Sequence, residues 1–397
     1  MADLVLLLDI GTTTISAEIF DIAAQTPLAR GNVLNSQSEI GEDIVSRIGF
    51  ALRGGKNIEK LQKKAAGSVN FLIHRVLGEC PARLGDIDRA FCACNSGIYH
   101  ILLGIDPSPL ITPPYKIRQR SEVTVSAGSI DFKLAQKARV TFLPNIGGFV
   151  GSDAFCCVLS SGIYSFDKLR AVIDIGTNSE ILLGYSGKIL AASAAAGPAF
   201  EARHIKDGMP YAKGAITGVK IINGRPRLKI AGNIDPKGIA GSGLVEACYQ
   251  LYRSGFIDRS GRMREKEFVL FCKGRKRITI TQADIRKLQL AKAAILSGVR
   301  VLLSRHKALS SDIEKVFLTG SFGTGLDVES VIGIGLLPDM DKGKVVYIQN
   351  AVIAGLRLWA GNRSIPANVS NLLGQIQHVP LFGRRFEKEY IQALALG

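Results

Sequence analysis

The sequence predicts an α/β protein built from two similar lobes. Three observations support this fold class: the chain length, an internal repeat, and an alternation of apolar strands with amphipathic helices. The chain has 397 residues, which is more than one compact hydrophobic core usually organises. We therefore expect an N-terminal lobe over residues 1–165 and a C-terminal lobe over residues 166–397.

The internal repeat pairs residues 8–14 with residues 173–179. The two segments read Leu8-Asp9-Ile10-Gly11-Thr12-Thr13-Thr14 and Ile173-Asp174-Ile175-Gly176-Thr177-Asn178-Ser179. Each copy follows an apolar run, turns at Asp-x-Gly-Thr, and enters a second alternating run. Because a chance match of this length would not share that context, the repeat predicts two homologous lobes.

The other elements follow from hydrophobic periodicity and from the Gly, Pro and Asn residues at their ends. In the first lobe we expect helices at about 42–52, 58–78 and 97–104, strands at 88–93 and 139–143, and a helix that begins near Ser152. In the second lobe we expect strands up to about residue 194, helices at 243–255 and 282–305, a strand at 313–319, and helices near 350–359 and 386–394. This alternation is typical of α/β lobes.

The apolar segments and the cysteines indicate an intracellular chain. The run from Leu4 to Leu8 is too short for a signal peptide. Lys292 and Arg300 interrupt the run from Leu288 to Leu303, which falls short of the roughly 20 uncharged residues of a membrane span. Seven cysteines at irregular spacings fit reduced thiols. We expect a cytoplasmic protein with no membrane association.

The cysteine and histidine spacings indicate no metal cluster. None of the seven cysteines follows the spacing of an iron–sulfur motif, and the five histidines form no metal-ligand pattern. We therefore expect no iron–sulfur cluster within this chain. Cys92 and Cys94 are interpreted as core thiols.

The chain is strongly basic, with a formal net charge of +16. Its densest basic cluster is Lys273 to Arg277. Aromatic residues make up only 7% and are not interleaved with the basic residues, as base-stacking surfaces require. The composition therefore disfavours nucleic acid as a partner, and it favours a solvated basic surface or one that meets an acidic protein.

Each Asp-x-Gly-Thr turn has the residue types that phosphoryl transfer from ATP requires. That chemistry depends mostly on positioning and on neutralisation of oxygen charge by hydrogen-bond donors and Mg²⁺. Gly11 and Gly176 would let the backbone approach the phosphates, while Asp9 and Asp174 would hold hydrated Mg²⁺. The candidate phosphate donors are Thr12, Thr13, Thr14, Thr177, Asn178 and Ser179. A single copy could equally be a plain hairpin turn, but two copies favour a phosphate clamp.

A third glycine-rich segment follows the predicted strand at 313–319. Gly320, Ser321 and Gly323 are small enough for an adenosine to lie against bare backbone, and the alternative is a structural turn. The sequence has no G-x-x-x-x-G-K-[ST] segment, so a P-loop is excluded. The segment is therefore a candidate adenosine site on the second lobe.

Two further carboxylates have open interpretations. Asp153 lies where a helix begins, so it either offsets the helix dipole or orients the water that attacks the γ-phosphate. The same two interpretations apply to Glu201, where the sequence context is weaker. Both remain candidates for the nucleotide site.

These segments together resemble the ATPase domain of the reductive activators of corrinoid enzymes. The resemblance covers almost the whole chain. The segments on which the resemblance rests are Asp174 to Asn178 with Glu180, Ala195 to Glu201, Asp284 to Ala294, Gly41 to Ile48 and Leu143 to Asp153.

The resemblance implies two ribonuclease-H-like lobes around a nucleotide cleft, the fold of the actin, sugar-kinase and heat-shock-protein ATPases. It implies an ATPase that binds ATP and Mg²⁺ and couples hydrolysis to the reduction of a cobalt(II) corrinoid to cobalt(I). The implied partners are a corrinoid protein or corrinoid-dependent methyltransferase and a second copy of the chain. Family members usually carry their iron–sulfur cluster in an added domain, so a separate ferredoxin-like donor would supply the electrons here.

Two other functions are compatible with the same residues. In a small-molecule kinase of the same superfamily, Asp153 would deprotonate a substrate hydroxyl instead of orienting water. A non-enzymatic basic scaffold or RNA-binding protein would show steeply salt-dependent affinity for nucleic acid and no ATP hydrolysis.

Overall fold

The structure, a computed structural model, describes residues 3–113, 115–320, 325–362, 365 and 368–397. The chain folds into two compact units of similar size. Unit 1 comprises Met1–Phe166, Ser186–Ala191 and Asn350–His378, and unit 2 comprises Asp167–Tyr185, Ala192–Gln349 and Val379–Gly397. Each unit is therefore assembled from three separate stretches of the chain.

The described residues form mixed α and β structure. The strands are β1 Leu4–Ile10, β2 Thr14–Asp21, β3 Thr26–Leu34, β4 Arg89–Cys94, β5 Val123–Ser126, β6 Arg139–Phe142, β7 Arg170–Ile175, β8 Ser179–Tyr185, β9 Lys188–Ala194, β10 Ala215–Ile222, β11 Arg225–Ile230, β12 Gly238–Ile239, β13 Glu267–Lys273, β14 Lys276–Thr281, β15 Lys315–Gly320, β16 Val345–Tyr347 and β17 Ile376–His378. The α-helices are α1 Ile44–Leu52, α2 Asn57–Leu77, α3 Ser96–Leu102, α4 Ser108–Ile111, α5 Ser152–Ser161, α6 Gly241–Arg253, α7 Gln282–Arg305, α8 Val328–Gly333, α9 Ala351–Gly361, α10 Val369–Gln375 and α11 Arg384–Gln392.

Unit 1 is organised around a six-stranded sheet of order β3-β2-β1-β4-β6-β5. Strand β1 pairs antiparallel with β2 and parallel with β4. Its residues Val5 to Leu8 are fully buried, as expected for a central strand that is covered on both faces. Helix α2 buries a face that includes Leu61, Val69 and Val76, while α5 and α9 pack against each other and against β1 and β4.

Unit 2 repeats this arrangement, with strands in the order β16-β15-β7-β8. Strand β7 pairs antiparallel with β8 and parallel with β15, and β15 pairs parallel with β16. The long helix α7 packs against β8. It begins at a capping box in which Thr281 and Asp284 satisfy each other's backbone N–H groups. The predicted α/β class and the structural repeat are therefore confirmed.

Most predicted elements lie where the sequence places them. The helix predicted at 282–305 has those bounds, and the helices predicted at 58–78 and 97–104 are displaced by one or two residues. The prediction gives no strands between residues 194 and 243 or between residues 255 and 282, yet the first stretch forms a sheet of order β11-β10-β12 and the second forms a hairpin of β13 and β14. Strand β11 alternates basic with apolar residues as a half-buried strand does, but it is short and includes Pro226, which weakens the local strand signal.

Residues 350–378 differ from the sequence-based division, which places them in the second lobe. Helix α9 packs along α5 and β1, so this stretch belongs to unit 1. Such long-range packing leaves no trace in local periodicity. The boundary between residues 165 and 166 stays a prediction.

Over the residues that the structure describes, no helix is both long enough and apolar enough to cross a bilayer.

Candidate functional site

The first Asp-x-Gly-Thr segment forms a tight hairpin turn at the end of β1 in unit 1. Asp9 is half-buried and pairs with Ser16 across the hairpin. The Gly11 N–H donates to the Thr14 carbonyl at 3.0 Å. A Cβ on Gly11 would lie 2.7 Å from that carbonyl oxygen, so only glycine fits this turn without a shift.

Buried polar side chains hold the carbonyls of this turn. The Asn35 backbone N–H donates to Thr13 O at 2.9 Å and its side-chain amide donates to Gly11 O at 2.9 Å. The Arg47 guanidinium donates to Thr12 O at 2.6 Å. Asn35 and Arg47 are both fully buried. Because the N–H of a trans peptide points away from its carbonyl, the amides that follow these carbonyls face the opposite side, as in an anion-binding turn.

Asp153 lies at the start of α5, beside the same edge of the unit 1 sheet. The N-cap residue Gly151 contacts the end of β4 so closely that a Cβ there would lie 2.1 Å from Cys94 O. The Ser152 hydroxyl accepts from Cys94 N at 2.9 Å, which fixes the helix to that strand. Because β4 is the parallel neighbour of β1, Asp153 and Asp9 belong to the same carboxyl edge of the sheet.

The thiols near these carboxylates are chemically quiet. Burial raises the pKa of Cys94 well above its ordinary value, and the charges of Asp153 and Asp9 raise it further. Burial raises the pKa of Cys156 in the same way, again with contributions from Asp9 and Asp153. The four strand and helix thiols Cys92, Cys94, Cys156 and Cys157 are buried. They are therefore core thiols, as the sequence predicts for Cys92 and Cys94.

The second Asp-x-Gly-Thr segment forms the matching turn between β7 and β8 in unit 2. Asp174 is half-buried and pairs with Glu180 across the hairpin. The Ser179 hydroxyl is fully buried and lies 3.2 Å from Gly176 O. A Cβ on Gly176 would lie 3.1 Å from Asn178 O, so this turn is less tight than the first.

Glu201 lies beside the second turn. Its Oε1 accepts from the Thr177 hydroxyl at 2.9 Å, and the Gly197 N–H donates to Thr177 O at 2.9 Å. The other oxygen, Oε2, is buried and has no hydrogen-bond partner among the residues that the structure describes, and the guanidinium of Arg203 is 3.9 Å from it. A buried carboxylate oxygen in this condition is suited to accept from a bound water or to face a cation.

Gly320 ends β15 next to Asp174, since Thr319 pairs with Asp174 in the parallel register. The Tyr347 hydroxyl donates to Gly320 O at 3.0 Å. Burial raises the pKa of Tyr347, and the nearby Asp174 charge raises it further. Ser321 and Gly323, the other two residues of the candidate adenosine segment, lie outside the described residues.

The donor set fits magnesium and a nucleotide. Each turn offers one strand-end carboxylate, hydroxyl groups and backbone amides. Magnesium is usually held by one or two carboxylates together with phosphate oxygens and water. Across residues 3–113, 115–320, 325–362 and the rest of the described chain, no three His, Cys, Asp or Glu side chains form a metal-binding group.

Sequence reasoning identified the turns but missed the residues behind them. Asn35, Asn95 and Tyr347 were not among the candidates, and Arg47 was noted only as part of the Gly41 to Ile48 segment. The Asn95 amide donates to the Thr12 hydroxyl at 2.9 Å. A polar residue next to apolar ones is a weak signal by itself, because only its burial shows that it supports the turn.

Two repeated α/β units, each with an Asp-x-Gly-Thr turn at the end of a central strand, define a protein of the ASKHA class, the superfamily of actin, sugar kinases and heat-shock ATPases. The family model described as the C-terminal domain of RACo, the ASKHA domain, matches residues 168–397. The model described as the RACo middle region matches residues 4–165. The chain belongs to the RACo family of reductive activators.

Three relatives illustrate the similarity. The corrinoid activation enzyme RamQ of Eubacterium limosum is 31% identical over 94% of this chain and 67% of that protein. The [Co(II) methylated amine-specific corrinoid protein] reductase of Methanosarcina barkeri is 23% identical over 87% of this chain and 68% of that protein. A solved structure described as a reductive activator for corrinoid, iron-sulfur protein has a TM-score of 0.93 and 33% identity, and the match covers 100% of this chain and 66% of that one. The chain thus spans about two thirds of the length of these relatives.

Proposed function

We propose that this chain is an ATP-hydrolysing activator that returns an inactive cobalt(II) corrinoid protein to the cobalt(I) state. One electron passes to the cobalt from a separate low-potential donor, which is oxidised by one electron. The observation that carries the proposal is the pair of Asp-x-Gly-Thr turns on repeated units. Membership of the RACo family and the names of the relatives support the corrinoid protein as the partner.

The residues of the two turns would bind one Mg²⁺ and one ATP. The nucleotide supplies the phosphoryl group, and the cation neutralises its oxygen charge. Asp9 and Asp174 would hold the hydrated cation, and the amides and hydroxyls of residues 11–14 and 176–179 would bind the phosphates. Gly320, with Ser321 and Gly323, would face the adenosine. The buried supports Arg47 and Asn35 would keep the first turn in its binding shape before nucleotide arrives.

Asp153 and Glu201 are the candidates for orienting the attacking water. Asp153 shares the sheet edge with Asp9, and Glu201 has a buried carboxylate oxygen that no described residue hydrogen-bonds. A carboxylate within hydrogen-bond reach of water can accept its proton as the nucleophile attacks. We further propose that the protein works as a cytoplasmic homodimer with a ferredoxin-like donor.

The direct test is ATP-dependent formation of cobalt(I). The purified protein is mixed with Mg·ATP, a cobalt(II) corrinoid protein and a low-potential donor, and the cobalt(I) absorbance is followed. We expect cobalt(I) to accumulate only when hydrolysable ATP is present. Parallel reactions contain no ATP, a non-hydrolysable analogue, or the Asp174→Asn variant. A signal that is independent of ATP across several corrinoid partners would contradict the redox part of the proposal.

The products of the ATP reaction separate this function from a small-molecule kinase. An activator releases ADP and free phosphate in equal amounts whatever small molecule is present. A kinase would transfer the phosphoryl group to a sugar or a short-chain acid. Finding a phosphorylated product in such a screen, with no free phosphate, would replace the activator by the kinase.

A further inference from the structure

The positive charge of this protein is concentrated in two segments of unit 2. Residues 211–237 and 266–277 contain eleven lysines and arginines and only two acids, so they supply more than half of the net charge of +16. These segments form β10 and β11, the loop that follows them, and the hairpin of β13 and β14. The β10–β11 ribbon and the β13–β14 hairpin are adjacent, since β11 contacts β13.

The β10–β11 ribbon presents its basic residues on one face. Arg225, Arg227 and Lys229 alternate with less exposed residues along β11, so all three point to the same side. Lys220 of β10 is the direct cross-strand partner of Arg227. Two like charges directly opposite each other destabilise a strand pair, so the ribbon itself gains no stability from them.

The β13–β14 hairpin repeats this pattern at its tip. Lys273 and Lys276 are direct cross-strand partners on either side of the turn. Lys273 donates to Asp235 at 2.7 Å, and this acid lies in the loop after β11. Both side chains of that ion pair are more than 60% exposed, so the pair is worth little and could exchange for another acid. We name Lys220, Arg225, Arg227, Lys229, Lys273 and Lys276 the basic hairpin surface.

We propose that the basic hairpin surface docks an acidic patch on the protein that this chain activates. This inference rests on the proposed function for the identity of that partner, but its electrostatic part can be tested alone. Cross-strand like charges become favourable when an anionic surface covers them, and clustered charge accelerates encounter with an oppositely charged protein.

A protein fits this surface better than a nucleic acid does. Strands β10, β11 and β14 carry no aromatic residue on which a base could stack, and the two phenylalanines of β13, Phe268 and Phe271, are only partly exposed. Instead, Ile222 is 53% exposed and pairs across the ribbon with Arg225. An exposed aliphatic side chain among arginines and lysines gives a protein interface an apolar anchor inside a charged rim.

The test compares two triple variants that lose the same charge. One is Arg225→Gln, Arg227→Gln and Lys229→Gln on the basic hairpin surface. The matched control is Lys56→Gln, Lys60→Gln and Lys63→Gln, three exposed lysines at the start of α2 in unit 1. Binding is measured at several salt concentrations with poly-L-glutamate, with a short DNA duplex, and with the corrinoid protein that yields cobalt(I) in the assay above.

We expect the hairpin variant to associate with the corrinoid protein on the order of tenfold more slowly at low salt. Its association rate should also depend less on the salt concentration. Its binding to poly-L-glutamate should weaken in parallel, while its basal ATP hydrolysis stays unchanged. The control variant should keep most of both affinities. Circular dichroism and the thermal midpoint show that each variant is folded.

Three outcomes would overturn the inference. Equal losses in both variants would show that only the net charge matters. An unchanged hairpin variant would exclude this surface. Tighter binding of DNA than of either acidic protein probe, lost in the hairpin variant, would assign the surface to nucleic acid. The poly-L-glutamate result does not depend on cobalt chemistry, so a failure of the proposed function and a failure of this inference are distinguishable.

Discussion

Asp9 and Asp174 end equivalent strands and begin equivalent turns, so each can be tested by the loss of one charge. A change of Asp174 to Asn keeps the shape and removes the carboxylate charge that matters most as the γ-phosphate departs. We expect ATP turnover to fall by on the order of 10²-fold or more, the scale of one lost transition-state contact. We expect a similar loss of ATP turnover in Asp9→Asn. Phosphate release is the measurement, and the exposed Asp339→Asn serves as the control.

The double variant of Asp9 and Asp174 sharpens this test. Groups that act on one metal–phosphate unit show strongly non-additive effects, so the double change should cost much less than the two single losses combined. Fully additive losses would indicate two independent sites. Normal turnover in either single variant would show that the repeated turn has only a structural role.

The buried side chain of Arg47 supports the shape of the first Asp-x-Gly-Thr turn. Its guanidinium donates to Thr12 O, to Gly41 O at 2.8 Å and to Gln37 Oε1 at 3.0 Å. Arg47→Met removes the guanidinium donor from the buried Thr12 and Gly41 carbonyls, at a cost of about 1–3 kcal/mol for each group left unsatisfied. We expect a lower thermal midpoint and weaker nucleotide binding by calorimetry.

The exposed Arg53→Met, nearby in the sequence, is the matched control for Arg47 and should leave both quantities unchanged. An Arg47→Met protein with normal nucleotide affinity would show that the turn keeps its shape without this support.

We expect Lys292 to make the stability of unit 2 depend on pH. It is fully buried, and its ammonium donates to the Ala395 carbonyl. Burial lowers the pKa of Lys292 from 10.5 to about 8, while Cys248 raises it and Arg300 lowers it. Between these two pH values the unfolded chain binds more protons than the folded one, so stability increases as the pH rises through the window. The gain is at most about 3 kcal/mol at 1.36 kcal/mol per pKa unit.

The measurement is the thermal midpoint between pH 7.5 and 10 for the wild type, Lys292→Met and the exposed Lys342→Met. Tyrosines and other lysines also titrate at the upper end, so the informative quantity is the difference between proteins. We expect the upward slope to diminish only in Lys292→Met. Identical slopes in all three would mean that Lys292 is not the titrating group.

Among the elements, helix α9 packs against α5 with almost no space between the backbones. A Cβ on Gly355 would lie 2.3 Å from Cys156 O. Gly355→Ala should therefore push the helices apart and destabilise unit 1 by about 1–3 kcal/mol. The control is Gly67→Ala in α2, where a Cβ meets nothing within 4 Å and should add about 0.5–1 kcal/mol. A lower denaturation midpoint for Gly355→Ala together with a higher one for Gly67→Ala would support this close packing of α9 on α5. An unchanged midpoint for Gly355→Ala would contradict it.

Local signals predicted the helices better than the ribbons. Helix α7 has a capping box and a continuous buried face, so its bounds follow from its own sequence. Strands β10 and β11 are held by pairing across a turn, and Pro226 weakens the local strand signal of β11. An element whose stability comes from a distant partner gives little information within a window of its own sequence.

On the scale of the whole molecule, the repeated turns were predictable because each keeps the same residues in the same order. The side chains that support the turns could not be predicted from the sequence. Asn35, Arg47 and Tyr347 are distant in sequence and come close to the turns only in the folded chain. The packing of residues 350–378 within unit 1 likewise depends on contacts with distant parts of the chain. Family resemblance indicated the function, and geometry identified the side chains that shape the turns.

The discontinuity of unit 1 has a consequence for protein synthesis. The Arg357 guanidinium of α9 donates to the buried Glu18 carboxylate of β2 at 2.6 Å, and α9 also covers β1. Residues up to 166 leave the ribosome long before residue 350 is made, a delay of roughly 10–40 s at the usual rates of translation. During that interval Glu18 lacks its guanidinium partner from α9, and the apolar surface beneath that helix is open to solvent. The nascent strand that carries Asp9 is therefore a natural client for a chaperone until the last part of its own unit is translated.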